Sequence, residues 1–266
     1  MSAGQLTARV RATLAIAAAA LAVWIAPAAA QGASYVAMGD SYASGVGTRE
    51  YYSSSGSCQR SPHAYPAETA AQLSLPLTFV ACSGARTQDV IDNQLGPLSS
   101  GTTRVTISIG GNDAGFSSVI SACARPWPWT CWGEIDNAQA FIRNTLPGRL
   151  NLVYSQIRSR APNAIVAVVG YPRIFNERNT CNAVSRISPG EQVRLNDTAS
   201  LLAGTTRARA LAHGFTYVDS IPSFVGHAVC DSVEWINGLS NPISESYHPN
   251  RSGHDQFRNL VRPVID

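Results

Sequence analysis

The chain has 266 residues, of which 45% are hydrophobic and 14% are charged, so it is long and apolar enough to bury a substantial core. This composition excludes a disordered or collagen-like protein. The formal net charge is only +3, from 20 basic and 17 acidic residues without a basic cluster, which argues against nucleic acid as the main partner.

The first thirty residues have the pattern of a secretory signal peptide. Arg9 and Arg11 precede an apolar stretch from Ala12 to Ile25, which is followed by a proline and three alanines. A basic start, an apolar segment and a small-residue end are typical of a cleaved export signal. A membrane anchor is the alternative, but it needs about 20 apolar residues. We expect residues 1–30 to be removed and residues 31–266 to form one exported domain.

The rest of the chain alternates apolar runs typical of strands with segments of helical spacing. In chain order we predict a strand at Ser34–Met38, a helix at Pro66–Leu73, strands at Leu77–Ala81 and Arg104–Ile109, a helical segment at Ile135–Arg160 interrupted at Pro147-Gly148, a strand at Ala164–Val169, a helix from Ser188 to Ala212, a strand at Phe215–Val218 and a helix at Ser252–Val261. Five strands separated by helices indicate an α/β fold with a five-stranded parallel sheet and helices on both faces.

The helix that begins after Ser188 has clear boundary signals in the sequence. Ser188 is a good N-cap residue, Pro189 suits the first turn, and Glu191 follows three residues after the cap. Gly214 is predicted to terminate the helix just beyond Ala212.

The cysteines form an even set, which suits an exported protein. In an oxidising compartment disulfides are the default, and six cysteines allow 15 pairings, among which the sequence does not choose. Pairing between sequence neighbours is the simplest arrangement. The lack of a C-x-x-C sequence argues against a zinc or thioredoxin-like site, and no metal or cofactor is expected. We predict structural roles for Cys58, Cys82, Cys123, Cys131, Cys181 and Cys230.

Three polar or glycine-rich motifs directly follow the first three predicted strands. They are Gly39-Asp40-Ser41, Ser83-Gly84-Ala85 and Gly110-Gly111-Asn112-Asp113. In α/β sheets, ligands bind beyond the carboxyl ends of the strands, so the coincidence indicates a functional site there. Each motif alone also fits a plain structural role, as an N-cap serine, a glycine with positive φ or a turn.

Ser41 is the candidate nucleophile. A serine is weakly nucleophilic until a base removes its proton, so a histidine must lie nearby. His248 is the best candidate base, because Glu245 precedes it by three residues and could hold the ring in the useful tautomer. The other histidines have plainer interpretations as exposed, helix-terminal or structural residues: His63, His213, His227 and His254.

The motif around Asn112 completes a possible site for acyl transfer. A tetrahedral acyl intermediate carries negative charge on oxygen, and preorganised N–H donors lower its free energy. The side-chain amide of Asn112 and the backbone N–H groups of Gly84 and Ser41 would form a three-donor pocket. His248 would deprotonate Ser41 for attack on an ester carbonyl.

Taken together, these motifs resemble those of a known family. In order, Gly39-Asp40-Ser41, Gly84, Gly111-Asn112-Asp113 and His248-Pro249 are similar to the four sequence blocks of the SGNH (GDSL-type) hydrolases. The resemblance extends from about Ser34 to the C-terminus. The signal peptide and the cysteines resemble those of the secreted actinomycete lipases and esterases of this family.

The resemblance carries expectations about fold, site and disulfides. It implies a flavodoxin-like three-layer sandwich, with Ser41 as nucleophile, His248 as base, and Gly84 and Asn112 as oxyanion donors together with the N–H of Ser41. It also suggests the pairs Cys58–Cys82, Cys123–Cys131 and Cys181–Cys230.

One position departs from the family pattern. The family usually has an aspartate three residues before the histidine, whereas this chain has Glu245. Glutamate has one methylene more than aspartate, so the backbone carbonyl of Ser246 or of Glu245 could orient His248 instead. Both a triad and a dyad therefore remain open. There is no G-x-S-x-G sequence, so an α/β-hydrolase elbow does not position Ser41.

The expected protein is a secreted serine esterase or lipase that acts on carboxylic esters of the acylglycerol type. We expect a monomer with a lipid or other ester substrate, without nucleic acid and without a stable membrane anchor. A polysaccharide O-acetyl esterase and a phospholipase A are alternatives that would use the same residues. A secreted binding protein without catalysis is a further alternative.

Overall fold

The computed structural model describes residues 34–125, 128–178 and 187–266. The predicted signal peptide and Cys181 lie outside these ranges. No helix within the ranges is both long and apolar enough to cross a membrane.

Strands and helices alternate along the chain. The strands are β1 (Ser34–Gly39), β2 (Leu77–Phe79), β3 (Thr102–Ser108), β4 (Ile165–Val169) and β5 (Thr216–Val218). The α-helices are α1 (Ser41–Ser44), α2 (Tyr65–Gln72), α3 (Thr87–Asn93), α4 (Phe116–Cys123), α5 (Trp132–Asn144), α6 (Leu146–Arg160), α7 (Pro189–Ala212) and α8 (Arg251–Ile265). Short 3₁₀ turns occur at Ser53–Cys58, Pro222–Phe224 and Ile243–Glu245.

The strands form one parallel sheet in the order β2-β1-β3-β4-β5. Val36 of β1 pairs with Thr78 of β2 on one side and with Val105 of β3 on the other. Helix α2 packs against α8, and α6 packs against α3 and α7, so helices cover both faces of the sheet. The predicted α/β fold with a five-stranded parallel sheet is confirmed.

The predicted boundaries of helix α7 are confirmed, whereas the break between α5 and α6 lies at a different residue from the predicted one. At α7, the side chain of Ser188 accepts from the N–H of Glu191, whose carboxylate accepts from the Ser188 N–H over 2.9 Å. The segment predicted at Ile135–Arg160 is two helices, and the break lies at Thr145 rather than at Pro147-Gly148. Pro147 occupies the first turn of α6, where its missing N–H leaves no helical hydrogen bond unmade.

Two disulfides lie among the described residues. Cys58 and Cys82 are bonded with a Cα–Cα distance of 4.0 Å, and Cys123 and Cys131 are bonded with a Cα–Cα distance of 4.8 Å. Cys230 is also disulfide-bonded, while its expected partner, Cys181, lies outside the described ranges. The bond at Cys123 ties the end of α4 to the start of α5.

Helices α4, α5 and α7 form a wall next to the carboxyl ends of the strands. Helix α5 packs against both α4 and α7, and Gln139 of α5 donates from Nε2 to Thr198 Oγ1 of α7 over 2.9 Å. This wall bounds one side of the region in which the motifs after β1 and β3 lie.

Candidate active site

The turn between β1 and α1 places Ser41 at the start of a helix. Gly39 has φ of 122°, and a Cβ there would lie 2.2 Å from the carbonyl oxygen of Ser108 in β3, so only glycine fits. The Asp40 carboxylate accepts from the N–H of Tyr42 over 3.0 Å and caps the helix. This turn brings Ser41 to the carboxyl end of β1.

Ser41 and His248 are hydrogen-bonded to each other although 207 residues separate them in the sequence. Ser41 Oγ lies 2.8 Å from His248 Nε2. On the other side of the ring, Nδ1 donates to the carbonyl oxygen of Ser246 over 2.9 Å. Because Nδ1 carries the proton in this arrangement, Nε2 of the neutral ring has a free lone pair for the serine hydroxyl.

Burial keeps the His248 ring neutral. Desolvation of the charged form lowers its pKa from 6.5 to about 4, and the bond to the Ser246 carbonyl opposes this shift only in part. The ring can therefore accept a proton from Ser41 across the neutral and mildly acidic range.

The Glu245 carboxylate does not orient His248 in this structure. Its Oε1 accepts from the hydroxyl of Tyr51 over 2.7 Å, and its Oε2 lies 3.6 Å from Arg49 Nε. Glu245 ends a 3₁₀ turn, and the extended Ser246 that follows turns its own carbonyl toward the ring. Of the two arrangements that the sequence left open, the structure has the backbone carbonyl of Ser246 at hydrogen-bond distance from His248 Nδ1.

The loop after β2 brings Gly84 next to Asn112. Gly84 has φ of 79°, and Asn112 Nδ2 donates to the carbonyl oxygen of the adjacent Ala85 over 3.0 Å. This bond leaves the second N–H of the Asn112 amide available. Within the described part of the chain, the backbone N–H groups of Ser41 and Gly84 donate to no protein acceptor. Each of the three predicted donors thus has an N–H group without a protein acceptor among the described residues, and their joint binding of one ligand oxygen stays a prediction.

Asp113 fixes the loops after β2 and β3 to each other. Its buried carboxylate accepts from the N–H of Thr87 over 2.9 Å and from the Thr87 hydroxyl over 2.6 Å. Arg149 of α6 pairs with the same carboxylate at 3.1 Å. No separate role for Asp113 follows from the sequence alone, because this contact depends on tertiary structure.

Two further tyrosines, which local sequence patterns did not predict, contact the site. The hydroxyl of Tyr42 donates to the carbonyl oxygen of Tyr247, next to His248, over 2.7 Å. The hydroxyl of Tyr171 donates to the Asp40 carboxylate. The only sequence signal for Tyr171 was its place just after the apolar run that became β4.

An apolar cavity opens beside Ser41 and Asn112 and extends between α4, α5 and α7. Its apolar walls include these residues from the three helices: Val119, Ile120, Ala138, Ile142, Leu195 and Leu202. A cavity of this kind favours a hydrocarbon chain over a sugar or a charged group.

The other predicted site features lie elsewhere or are structural. His254 is fully buried, and its Nδ1 accepts from the N–H of Tyr65 over 3.3 Å. His227 stacks on Trp235 with ring centroids 3.5 Å apart. Across residues 34–125, 128–178 and 187–266, no cluster of histidine, cysteine, aspartate or glutamate could hold a metal ion.

Comparison with known proteins agrees with the family resemblance found in the sequence. Residues 37–256 match the GDSL-like lipase/acylhydrolase family. The chain is 48% identical over 230 residues to Lipase 1 of Streptomyces coelicolor, covering 85% of this chain and 84% of that protein.

Two solved structures are similar over most of their length. The extracellular lipase of Streptomyces rimosus has a TM-score of 0.84 and 41% identity, covering 88% of this chain and 100% of that one. Phospholipase A1 of Streptomyces albidoflavus also has a TM-score of 0.84, with 43% identity, covering 88% of this chain and 99% of that one.

Proposed function

Because the chain belongs to the GDSL-like lipase/acylhydrolase family and is a carboxylic ester hydrolase of the lipase or esterase type, we propose that Ser41 and His248 carry out its chemistry. The observation that best supports this assignment is the 2.8 Å distance between Ser41 Oγ and His248 Nε2. The Ser246 carbonyl holds the ring with Nε2 toward the serine. A serine hydroxyl bonded to an oriented imidazole is what covalent acyl transfer requires.

The reaction proceeds through an acyl-enzyme. Ser41 Oγ gives its proton to His248 Nε2 as it attacks the ester carbonyl carbon. The N–H groups of Ser41 and Gly84 and the amide of Asn112 donate to the resulting oxyanion. His248 then protonates the leaving alcohol. In the second half a water molecule gives a proton to His248 as it attacks the acyl-enzyme, and His248 then returns that proton to Ser41 Oγ as the acid is released. This sequence requires no metal or cofactor.

The substrate we favour is an acylglycerol-type lipid whose acyl chain enters the apolar cavity beside Ser41. The walls of this cavity come from α4, α5 and α7 and are mostly aliphatic. Phospholipid is the second candidate, because the Streptomyces albidoflavus relative is a phospholipase A1. An acetyl group would leave most of the apolar wall uncovered, which disfavours the polysaccharide O-acetyl esterase alternative.

We also propose export of the enzyme, with residues 1–30 as signal peptide and residues 31–266 as a single domain that acts as a monomer outside the cell. The basic, apolar and small-residue pattern of the N-terminus supports export, as does the extracellular Streptomyces rimosus relative. All the proposed catalytic groups come from one chain. The N-terminal sequence of the protein from culture medium should begin near Gln31, and a retained Met1 would contradict this cleavage.

The decisive experiment is a series of initial rates on p-nitrophenyl esters from acetyl to palmitoyl. The native enzyme should prefer medium or long chains, and Ser41→Ala should lose the activity on every ester. Ser44→Ala, in the same helix, serves as the matched control and should remain active. Undiminished hydrolysis by Ser41→Ala would refute the assignment, and a rate confined to acetyl would favour the acetyl esterase alternative.

A further inference from the structure

The hydroxyl of Tyr171 lies between the turns that follow β1 and β3. Tyr171 comes two residues after the end of β4 and is 8% exposed. Its hydroxyl donates to Oδ2 of Asp40 and accepts from the backbone N–H of Gly111 over 3.3 Å. One atom therefore connects the two turns that carry Ser41 and Asn112.

On the β1 side, the bond reaches Ser41 through Asp40. The other oxygen of the same carboxylate, Oδ1, accepts from the N–H of Tyr42 and caps α1, the helix that begins at Ser41. Burial raises the pKa of Asp40 to about 7, and the bond from Tyr171 opposes this rise by favouring the charged form. Tyr171 thus supports the carboxylate that fixes the Ser41 turn.

On the β3 side, the bond fixes the backbone directly before Asn112. A Cβ on Gly111 would lie 3.3 Å from Cζ and 3.4 Å from the hydroxyl oxygen of Tyr171, so glycine permits the close approach of the ring. On its other side Asn112 is held by the Ala85 carbonyl. The position of the Asn112 amide therefore depends on Tyr171 and on the loop after β2 together.

We infer that Tyr171 is a positioning residue, which holds the Ser41 N–H and the Asn112 amide at the spacing that an ester oxyanion needs. This inference rests on the proposed function. Oxyanion donors stabilise a transition state only when their positions are fixed in advance, and a displacement of about 1 Å costs on the order of 100-fold in rate. Tyr171 takes no part in proton transfer, because its hydroxyl is committed to Asp40 and Gly111.

The test begins with Tyr171→Phe, which removes the hydroxyl and keeps the ring. The ring also packs edge-to-face on Tyr42 with centroids 5.0 Å apart, so the cavity wall remains. We expect kcat on a soluble p-nitrophenyl ester to fall by about 10- to 100-fold while KM stays within about threefold. The matched control is Tyr154→Phe, since that buried hydroxyl has no hydrogen-bond partner among the described residues.

A double-mutant cycle separates positioning from a general loss of structure. If Tyr171 acts through the Asn112 amide, Tyr171→Phe should cost at least about threefold less in kcat in the Asn112→Ala background than in the native enzyme. An equal fold-loss of kcat in the two backgrounds would overturn the inference. The inference would also be overturned if Tyr171→Phe alone kept a kcat within about threefold of the native enzyme. Ser41→Ala tests the proposed function independently, because its outcome does not depend on Tyr171.

Gly111→Ala keeps the inference testable should Tyr171→Phe fail to fold. The added methyl group presses on Tyr171 from the Asn112 side, and we expect a fall in kcat at nearly constant KM. Gly133→Ala is its control, because a Cβ there meets no atom within 4 Å. Equal kcat values in these two folded variants would overturn the inference.

Discussion

The carbonyl oxygen of Ser246 lies 2.9 Å from Nδ1 of His248 and accepts a hydrogen bond from its N–H. The main chain therefore sets the tautomer of the proposed base, in a place where a carboxylate side chain is often found. Glu245, one residue earlier, turns its carboxylate toward the hydroxyl of Tyr51 instead.

This geometry predicts a small catalytic effect for Glu245→Gln. The amide oxygen of glutamine can still accept from Tyr51, and the contact between Ser246 and His248 is unaffected. We expect kcat within about threefold of the native value, whereas His248→Gln should lower kcat by about 1000-fold or more. Steady-state rates on one soluble ester measure both effects. A loss of about 100-fold or more in a folded Glu245→Gln enzyme would show that the carboxylate takes part in catalysis.

Much of the fold could be predicted because local patterns and tertiary structure agree. Each predicted strand corresponds to one of the five strands, since a parallel sheet covered on both faces requires continuous apolar runs such as Ile165–Val169. The short helices α1, α3 and α4 were missed. Helices α1 and α3 have four and seven residues, which is too few for a clear helical period, whereas α4 is as long as α2, which was predicted.

The candidate site could be predicted only where chemistry follows directly from residue type. A serine nucleophile needs a base, which predicted the pairing of Ser41 after β1 with His248 before α8, and the structure brings the two side chains together. The roles of Tyr171 and Glu245 could not be predicted, because the first depends on contacts between distant turns and the second on the backbone path at residues 245–248. Helical spacing and strand patterns contain no information on either.

The acid limit of activity should lie well below the usual range for a histidine base. Catalysis requires neutral His248, and burial lowers its pKa from 6.5 to about 4. Protonation of His248 therefore removes the base only as the pH falls toward that value, so the enzyme should keep activity at pH 5 and lose it steeply below that pH. Asp40, whose pKa is raised to about 7, titrates separately at higher pH. A pH–rate profile with circular dichroism at each point measures this. Loss of all activity by pH 5 in folded enzyme would contradict the prediction.

Buried His254 should make the protein less stable in acid. Burial lowers its pKa from 6.5 to about 3 in the folded state. Between those values the unfolded chain binds a proton that the folded chain does not, so the free energy of unfolding decreases as the pH falls below 6.5, and above 6.5 the effect is absent. At pH 5 the loss amounts to about 2 kcal/mol.

His254→Gln provides the comparison, because glutamine does not titrate. When the pH is lowered from 7.5 to 5, the free energy of unfolding of the native enzyme should fall by about 2 kcal/mol more than that of the variant. Urea unfolding at the two pH values measures this difference. A constant difference would show that His254 has the same pKa in the folded and the unfolded chain.

The cavity beside Ser41 should determine the preferred acyl chain length. Ala199 of α7 lines this cavity, and Ala199→Phe would fill part of it with an aromatic ring. The acetyl ester needs little of the cavity, so its kcat/KM should stay within about threefold, while kcat/KM for octanoyl and longer esters should fall by about 10-fold or more. The ratio of kcat/KM for the long esters to kcat/KM for the acetyl ester does not depend on how much of the enzyme is active.

Val193→Phe is the matched control for this change. Val193 also lies on α7 but is 39% exposed, so an aromatic ring there should leave the ratio between long and short esters unchanged. If Ala199→Phe lowers both rates equally, the ring has disturbed the helix rather than the acyl site. If it lowers neither, the acyl chain follows another path from Ser41, and the apolar wall of α4, α5 and α7 is not the surface that selects the substrate.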